Sequence, residues 1–194
     1  MSLKEYKATL FEVLHCYEPF DAIETKHLDG LLEFMNISLS PFSKENPEGH
    51  ITASAILVDS SFSYVLFIWH NKLLRWIQPG GHCEIDVDQT PKETALRELV
   101  EEANIKASSI TLVQETPFDI DVHVIPAKGK TKSHLHYDLR YLFKLITPVE
   151  YSCSSTLKWR GIEELTQLEE ESVSRFSKKL LKLKLHTQIN HNPD

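Results

Sequence analysis

Three glutamates carry the clearest chemical signal in the sequence. Glu98, Glu101 and Glu102 are spaced at i, i+3 and i+4, so a helix would place their carboxylates on one face. Like charges at this spacing repel one another by roughly 0.2–0.5 kcal/mol per pair on an isolated helix. A divalent cation would relieve the repulsion, because Mg²⁺ prefers carboxylate, water and phosphate oxygens. The spacing indicates a site for Mg²⁺ or Mn²⁺, with a solvated acidic surface as the alternative.

A helix with well-defined ends must hold these glutamates. Thr90 is a suitable N-cap, Pro91 suits the first helical position, and Glu93 completes a capping box. Asn104 can end the helix in the left-handed conformation. An apolar face beside the acidic one would pack on the core, formed by Leu96, Leu99, Val100 and Ala103. The sequence therefore predicts a helix from Thr90 to Asn104 with one buried and one acidic face.

The segment around this helix resembles the Nudix box, the signature of the Nudix hydrolase family. A Gly-Gly turn at a strand end is followed by a loop, the capped helix and the run Arg97-Glu98-Leu99-x-Glu101-Glu102. The resemblance extends from about residue 50 to residue 168 and includes "WRGIEEL", which is similar to a segment that leads into the family's final helix. It implies an α+β fold, an α/β/α sandwich built on a mixed sheet.

The resemblance also implies roles for individual residues. Glu101 and Glu102 would ligate Mg²⁺ or Mn²⁺, joined by the carbonyl of Gly81. Glu98 would be a further ligand or the base that activates water, and Arg97 would hold the loop against the helix by pairing with a carboxylate. A metal that neutralises phosphate oxygens and a base that deprotonates water suit attack on phosphorus. The implied reaction is metal-dependent hydrolysis of a diphosphate bond in a nucleoside diphosphate linked to another moiety.

The sequence departs from the family pattern in three places. The loop from Gly81 to Arg97 is two residues longer, Gln89 stands where the loop glutamate is expected, and Asn104 replaces the closing glycine. The last change is harmless, because Asn also adopts the left-handed conformation. Three acids of the longer loop could supply the missing carboxylate: Glu84, Asp86 and Asp88.

A second group of polar residues lies downstream of the helix. "FDIDVHVIP" and "HLHYDLRYLF" alternate polar and apolar residues, which puts each polar set on one face of a strand. Together with "PGGH", they resemble motifs of a subset of bacterial Nudix proteins. The resemblance implies a substrate cleft in which Arg140 grips phosphate and the imidazoles bind phosphate or a second metal. The candidate substrate-binding residues are Asp121, His123, His134, His136, Asp138 and Arg140, and a solvated sheet face is the alternative.

Two other functions remain open at this stage. Some Nudix-fold enzymes isomerise isoprenoid diphosphates with a cysteine and a glutamate, and Cys83 lies near the turn. The intact helix motif counts against that reading. A Nudix domain that binds a nucleotide without cleaving it is favoured slightly by Gln89 and opposed by the three helix glutamates. His50 and His82 are interpreted as structural histidines with satisfied hydrogen bonds.

The order of elements predicts two parts of the chain. Residues 1–48 form an N-terminal helical appendage and linker, with two helices between residues 4 and 35 separated by Pro19. Residues 49–194 form the Nudix domain, which begins with paired strands. Further strands follow around 110–125 and 134–146, then a helical segment near 161–169 and a closing helix near 172–186. The appendage could cover a sheet edge or form a homodimer contact.

Composition limits the possible partners and compartments. The net charge of −7 gives no general attraction for nucleic acid, so the expected partner is a small-molecule nucleoside diphosphate derivative bound through a cation. A membrane span would need about 18 apolar residues in a row, and no such run is present. The cysteines are odd in number and lack CxxC spacing, which argues against a disulfide framework. We therefore expect a cytoplasmic protein.

Overall fold

The computed structural model of the 194-residue chain describes residues 3–84, 86–129, 131–146 and 155–189. Its α-helices are α1 (Leu3–His15), α2 (Ala22–Ile37), α3 (Pro91–Ala103), α4 (Ile162–Leu165) and α5 (Glu171–Ile189). Its strands are β1 (Gly49–Val58), β2 (Tyr64–His70), β3 (Arg75–Ile77), β4 (Gly80–His82), β5 (Ile110–Leu112), β6 (Asp119–Ile125), β7 (His134–Leu145) and β8 (Leu157–Gly161). Within these ranges, no helix is both long enough and apolar enough to cross a bilayer.

The strands of the described residues form one mixed eight-stranded sheet. The long strand β7 is parallel to β1 and antiparallel to β5 and β6. Strand β1 also pairs with β2, as the sequence predicts, and with the short strand β4. The glycines expected to form a turn, Gly80 and Gly81, instead pair with β1, so their backbone is held in the sheet.

Helices cover both faces of the sheet, which confirms the predicted α/β/α sandwich. One face packs against α1, α2 and α3, with a core that includes Leu31, Phe34, Ile51, Leu99, Ile120 and Leu139. The other face packs against α4 and α5, with a core that includes Ile56, Phe67, Leu142, Ile162, Phe176 and Leu180. Successive residues of β1 and β7 alternate between these two cores, as the period of a strand requires.

Helix α3 has the ends that the sequence predicts. The Thr90 side chain accepts a hydrogen bond from the backbone N–H of Glu93 at 3.2 Å. The Glu93 carboxylate in turn accepts from the N–H of Gln89 at 2.6 Å, one residue before the cap. Asn104 closes the helix in the left-handed conformation, with φ 52° and ψ 42°. These caps fix which residues of α3 face the sheet and which face solvent.

The N-terminal helices are built into the sandwich. Buried residues of both helices belong to the same core as the sheet, namely Leu10, Leu14, Leu28, Leu31, Phe34 and Met35. The Phe34 ring stacks on Tyr137 of β7 with centroids 4.3 Å apart. The division into residues 1–48 and 49–194 stays a prediction, and the two parts share one hydrophobic core.

A buried carboxylate joins α2 to the rest of the molecule. Asp21 is the N-cap of α2, and Glu24 in the first turn of the helix is fully buried. Its carboxylate accepts from the N–H of Phe20 at 2.6 Å and from the N–H of Ile120 in β6 at 3.0 Å. It also pairs with Lys179 of α5 at 2.6 Å. Glu24 therefore connects both helical layers and the sheet.

Replacing Glu24 should destabilise the protein strongly. Glu24→Gln keeps the size of the side chain but leaves the Lys179 ammonium without its buried partner, since that ion pair is broken. We expect a loss of about 2–4 kcal/mol in the free energy of unfolding, measured by urea denaturation. Glu18→Gln is the control, because Glu18 is exposed in the same part of the chain. Equal stability of the two variants would contradict this account.

Candidate active site

The backbone of β4 lies directly against α3. The N–H of Gly80 donates to Oε2 of Glu102 at 3.0 Å. A Cβ atom at Gly81 would lie 2.4 Å from Oε1 of Glu98 and 2.7 Å from its carboxyl carbon. A side chain at position 81 would therefore displace Glu98. The glycine pair allows a helix carboxylate to approach the strand backbone more closely than any other residue pair would.

The three helix glutamates lie in different surroundings at this contact. Glu98 is half-buried, and burial raises its pKa above the usual value despite its ion pair with Arg97. Desolvation against β4 raises the pKa of Glu102 to about 7, with Glu98 and Glu101 adding to the shift and the Gly80 N–H opposing it. Glu101 is exposed. Such a group of carboxylates favours a bound proton or a bound cation.

Arg97 holds the loop against α3 by pairing with Asp88. The guanidinium donates from Nε to Oδ1 of Asp88 at 3.0 Å and from Nη2 to Oδ2 at 2.8 Å. It also reaches Oε1 of Glu98 at 2.8 Å and the carbonyl of His82 at 3.3 Å. Burial alone would raise the pKa of Asp88, but hydrogen bonds from Arg97 and Thr94 hold it below the usual value. Arg97 therefore connects the loop acid Asp88, the carboxylate of Glu98 and the backbone of β4.

The loop acids thus divide into two kinds. Asp88 is buried at 8% exposure, and its oxygens are taken up by Arg97 and Thr94. Glu84 and Asp86 are exposed, and so is Gln89. Of the three acids considered from the sequence, Asp88 therefore positions the loop. Glu84 and Asp86 are the ones whose carboxylates face solvent.

The two alternating segments are neighbouring strands, as expected if they form one polar surface. Strands β6 and β7 are antiparallel, and Asp121 lies opposite Asp138 while His123 lies opposite His136. Their polar residues continue onto β1, because Thr52 donates to Asp138 at 3.0 Å. The structure therefore brings all six candidate substrate-binding residues to one face of the sheet.

Arg140 lies on this face but contacts carboxylates of the protein, whereas the sequence predicted that it binds phosphate. Arg140 is 5% exposed, and its guanidinium contacts Asp119 at 3.2 Å, Asp121 at 3.1 Å and Asp138 at 3.2 Å. Arg175 of α5, 1% exposed, contacts Asp119 at 3.0 Å from the other side. Because internal carboxylates use its donors, Arg140 acts here as a structural cation. Asp121 and Asp138 belong to the same ionic network.

The histidines occupy the other end of the polar face. The rings of His50, His82, His123, His134 and His136 form a continuous cluster, with neighbouring centroids 4.6–5.6 Å apart. His50 is 1% exposed. Within the described part of the chain, neither of its ring nitrogens has a hydrogen-bond partner. The interpretation of His50 as a satisfied structural histidine therefore does not hold.

Three of these histidines are predominantly neutral. Burial lowers the pKa of His50 to about 4 and that of His136 to about 3, and the neighbouring imidazoles add to both shifts. Partial desolvation also lowers the pKa of His82, although its side chain is exposed. Near neutral pH the rings of His50, His82 and His136 offer lone pairs and carry little positive charge.

The sandwich, with a glycine strand set against a helix of grouped glutamates, defines the class of Nudix hydrolases. The family model of the NUDIX domain matches residues 49–182, and the chain belongs to the Nudix family. Membership of this family makes the protein a Nudix-type pyrophosphohydrolase. The family identifies the kind of bond that is cleaved and leaves the substrate to be determined.

The chain is also similar to individual proteins. The chain is 28% identical to the asymmetrical bis(5'-nucleosyl)-tetraphosphatase of Mus musculus over 111 residues, which are 57% of this chain and 71% of the relative. The structure of the E. coli dihydroneopterin triphosphate pyrophosphohydrolase aligns with a TM-score of 0.52 at 14% identity, covering 68% of this chain and 95% of that one. A C. elegans Ap4A hydrolase binary complex aligns at 0.49 and 20% identity, covering 71% and 97%. The first of these two structures supports the fold alone.

Adding a methyl group at Gly81 should disable the site. Gly81→Ala would push the Glu98 carboxylate away from β4, and we expect hydrolysis to fall by about 100-fold because the catalytic groups move apart. The measurement is the steady-state rate with Mg²⁺ or Mn²⁺. Gly30→Ala in α2 is the matched control, since a Cβ there meets nothing within 4 Å. The prediction fails if both variants keep the wild-type rate.

Neutralising the buried loop acid should affect both stability and rate. Asp88→Asn weakens the ion pair with Arg97, and we expect a loss of about 1–3 kcal/mol in the free energy of unfolding. The hydrolytic rate should fall as well, because Arg97 also contacts Glu98. Asp86→Asn in the same loop should change stability by less than about 0.5 kcal/mol. If Asp86→Asn lost more stability than Asp88→Asn, Asp88 would not be the residue that anchors the loop.

Proposed function

We propose that the protein hydrolyses a diphosphate bond in a nucleoside diphosphate linked to another moiety, using Mg²⁺ or Mn²⁺ bound at α3. One observation carries the proposal. The Gly80–Gly81 backbone meets Glu98 and Glu102 with no side chain between them, so helix carboxylates and strand backbone converge at one point. Glu101 lies exposed on the same helix face, where a cation and a polyanionic substrate can reach it.

Each residue has a distinct part in this proposal. Glu101 and Glu102 ligate the cation, and the carbonyl of Gly81 completes the set on the protein side. Glu98, held by Arg97 at 2.8 Å, is a further ligand or the base that takes a proton from the attacking water. A bound cation would supply neutralisation of phosphate oxygens and acidification of nearby water. Water that has given its proton to Glu98 would attack one phosphorus, and the bond between that phosphorus and the bridging oxygen would break to release a nucleotide or phosphorylated fragment.

Charge and the mouse relative support the proposed substrate class. With a net charge of −7, the protein needs a cation to attract a polyanion. The mouse relative is named a bis(5'-nucleosyl)-tetraphosphatase, which puts dinucleoside polyphosphates first among the compounds to test. Nucleotide sugars, other dinucleotides and nucleoside triphosphates complete the panel.

The isomerase alternative fits the structure less well. It would need a reactive cysteine, but burial raises the pKa of Cys83 to about 12. The thiol therefore stays protonated and is a poor nucleophile or base near neutral pH. Cys83 packs against the main hydrophobic core, as expected of a small apolar residue.

The direct test measures product release from this panel with Mg²⁺ or Mn²⁺. Glu101→Gln combined with Glu102→Gln removes both proposed ligand charges. We expect turnover of at least one compound by the wild type and a loss of more than about 100-fold in the double variant, since a lost metal ligand weakens charge stabilisation by several kcal/mol. Glu12→Gln, at an exposed position on α1, should keep the wild-type rate.

Two outcomes would contradict the proposal. Undiminished turnover in the double variant would show that α3 does not hold the catalytic cation. If no compound is cleaved but one raises the melting temperature in the presence of metal, the protein is a nucleotide-binding Nudix domain. The exposed amide at Gln89, in place of the expected loop carboxylate, is the feature that would then explain the lost activity.

A further inference from the structure

Three adjacent strands bring three histidines to one point on the polar face of the sheet. His50 of β1 lies beside His136 of β7 in the parallel register, and His82 comes from β4 on the other side of β1. One ring nitrogen from each of the three lies within 4.8 Å of the other two. The arrangement depends on strand pairing and not on sequence proximity, because the three residues are far apart in the chain.

The buried ring of His50 lacks an internal partner. Both of its nitrogens are buried and accept or donate no hydrogen bond within the described residues. Buried polar atoms are nearly always satisfied, because burying one without a partner costs on the order of 1–3 kcal/mol. His50 is therefore placed as a ligand would be, with a free nitrogen beside His82 and His136.

The packing of the group favours a single metal ion. The three rings lie with centroids 4.6–5.4 Å apart, and a ring nitrogen of each lies within 4.8 Å of the other two. Several imidazoles around one point suit a metal ion, because each ring can contribute one nitrogen ligand. Of the two ligands suggested by the sequence for these histidines, phosphate or a second metal, the structure supports the metal.

We propose that His50, His82 and His136 form a second metal site, which takes a divalent transition ion of the Zn²⁺ class. Imidazole nitrogen suits Zn²⁺, Ni²⁺ and Cu²⁺, whereas Mg²⁺ prefers oxygen, so this site and the glutamates of α3 select different ions. Zn–N bonds of about 2.0–2.1 Å in a tetrahedral site would place the nitrogens roughly 3.3 Å apart. Binding would therefore bring the ring nitrogens closer together by up to about 1.5 Å.

The neighbouring histidines form the rim of the site. His123 is held by Oδ2 of Asp121 at 3.0 Å, and His134 is held by the carbonyl of Lys132 at 3.0 Å. Each thus has one ring nitrogen fixed by the protein, as is usual around metal ligands. The fourth coordination position is left to water or to a substrate oxygen.

The two sites share one strand. His82 directly follows Gly81, and its carbonyl accepts from Arg97 at 3.3 Å. An ion bound by His82 would therefore hold β4 in place on the side opposite to Glu98. The inference does not rest on the proposed hydrolysis, since metal binding by histidines is measured without substrate.

The test is a titration of the purified full chain with Co²⁺, followed by visible absorption and calorimetry, and then competition with Zn²⁺. We expect one equivalent of Co²⁺ to bind with the absorption of nitrogen ligands and to be displaced by Zn²⁺. His82→Asn should weaken this binding by at least about tenfold. His82 is exposed, so the variant should fold, and His15→Asn on α1 is the matched control.

Two further variants distinguish Co²⁺ binding at the histidines from Co²⁺ binding at the glutamates of α3. The Glu101→Gln, Glu102→Gln double variant should keep the Co²⁺ spectrum, whereas His136→Asn should lose it, with circular dichroism confirming that both are folded. The proposal is overturned if the double variant loses the spectrum and His82→Asn keeps it, because the ion then lies at α3. It is also overturned if the wild type binds Co²⁺ and Zn²⁺ no better than His82→Asn does.

Discussion

The contact between the β4 backbone and α3 determines where the carboxylates of Glu98 and Glu102 can lie. Strand β4 is fixed because Gly80 and Gly81 pair with β1, and α3 is fixed by its caps and by its buried Leu99. Two rigid elements thus meet with only glycine between them, and Glu98 fills the space that a side chain at position 81 would take. The position of the carboxylates follows from backbone packing, which suits a site that must hold a cation in one geometry.

Buried charges distinguish the two ends of the polar face of the sheet. At the end covered by α5, Asp119, Asp121 and Asp138 pair with Arg140 and Arg175. Buried ions are tolerated when their partners are in place, and breaking such a network is costly. This end joins the sheet to α5 and, by way of Lys179, to α2. At the other end, within the described residues, both ring nitrogens of His50 lack a hydrogen-bond partner, and this is the part of the face at which the proposed second metal would bind.

The sequence predicts the features that depend on local signals. The ends of α3 follow from the side chains of Thr90 and Asn104, and the polar faces of β6 and β7 follow from alternation. The ionic network was missed because its partners are distant in sequence. Arg175, for example, bonds to Asp119 across 56 positions. The alternation of polar and apolar residues predicts the correct face for Arg140. Helix α5 covers that face, and Arg140 pairs there with buried carboxylates as a structural cation, not with phosphate as predicted.

The position of His50 among the other histidines also depends on pairing between distant parts of the chain, and so it could not be predicted from the sequence. A single histidine in a strand says nothing of its neighbours until the parallel register with β7 is known. Likewise, the longer loop offers three acids, and burial distinguishes Asp88 from Glu84 and Asp86. Local patterns therefore predict the helices and strands and the position of the glutamates on α3. Long-range pairing decides which polar residues are structural.

The central claim is that the glutamates of α3 bind the catalytic cation. The most direct measurement is an anomalous difference map from crystals of the full chain grown with Mn²⁺. The account predicts a peak within bonding distance of the Glu101 and Glu102 carboxylates and beside Gly81. A map from catalytically active protein that shows Mn²⁺ elsewhere and none at α3 would contradict it.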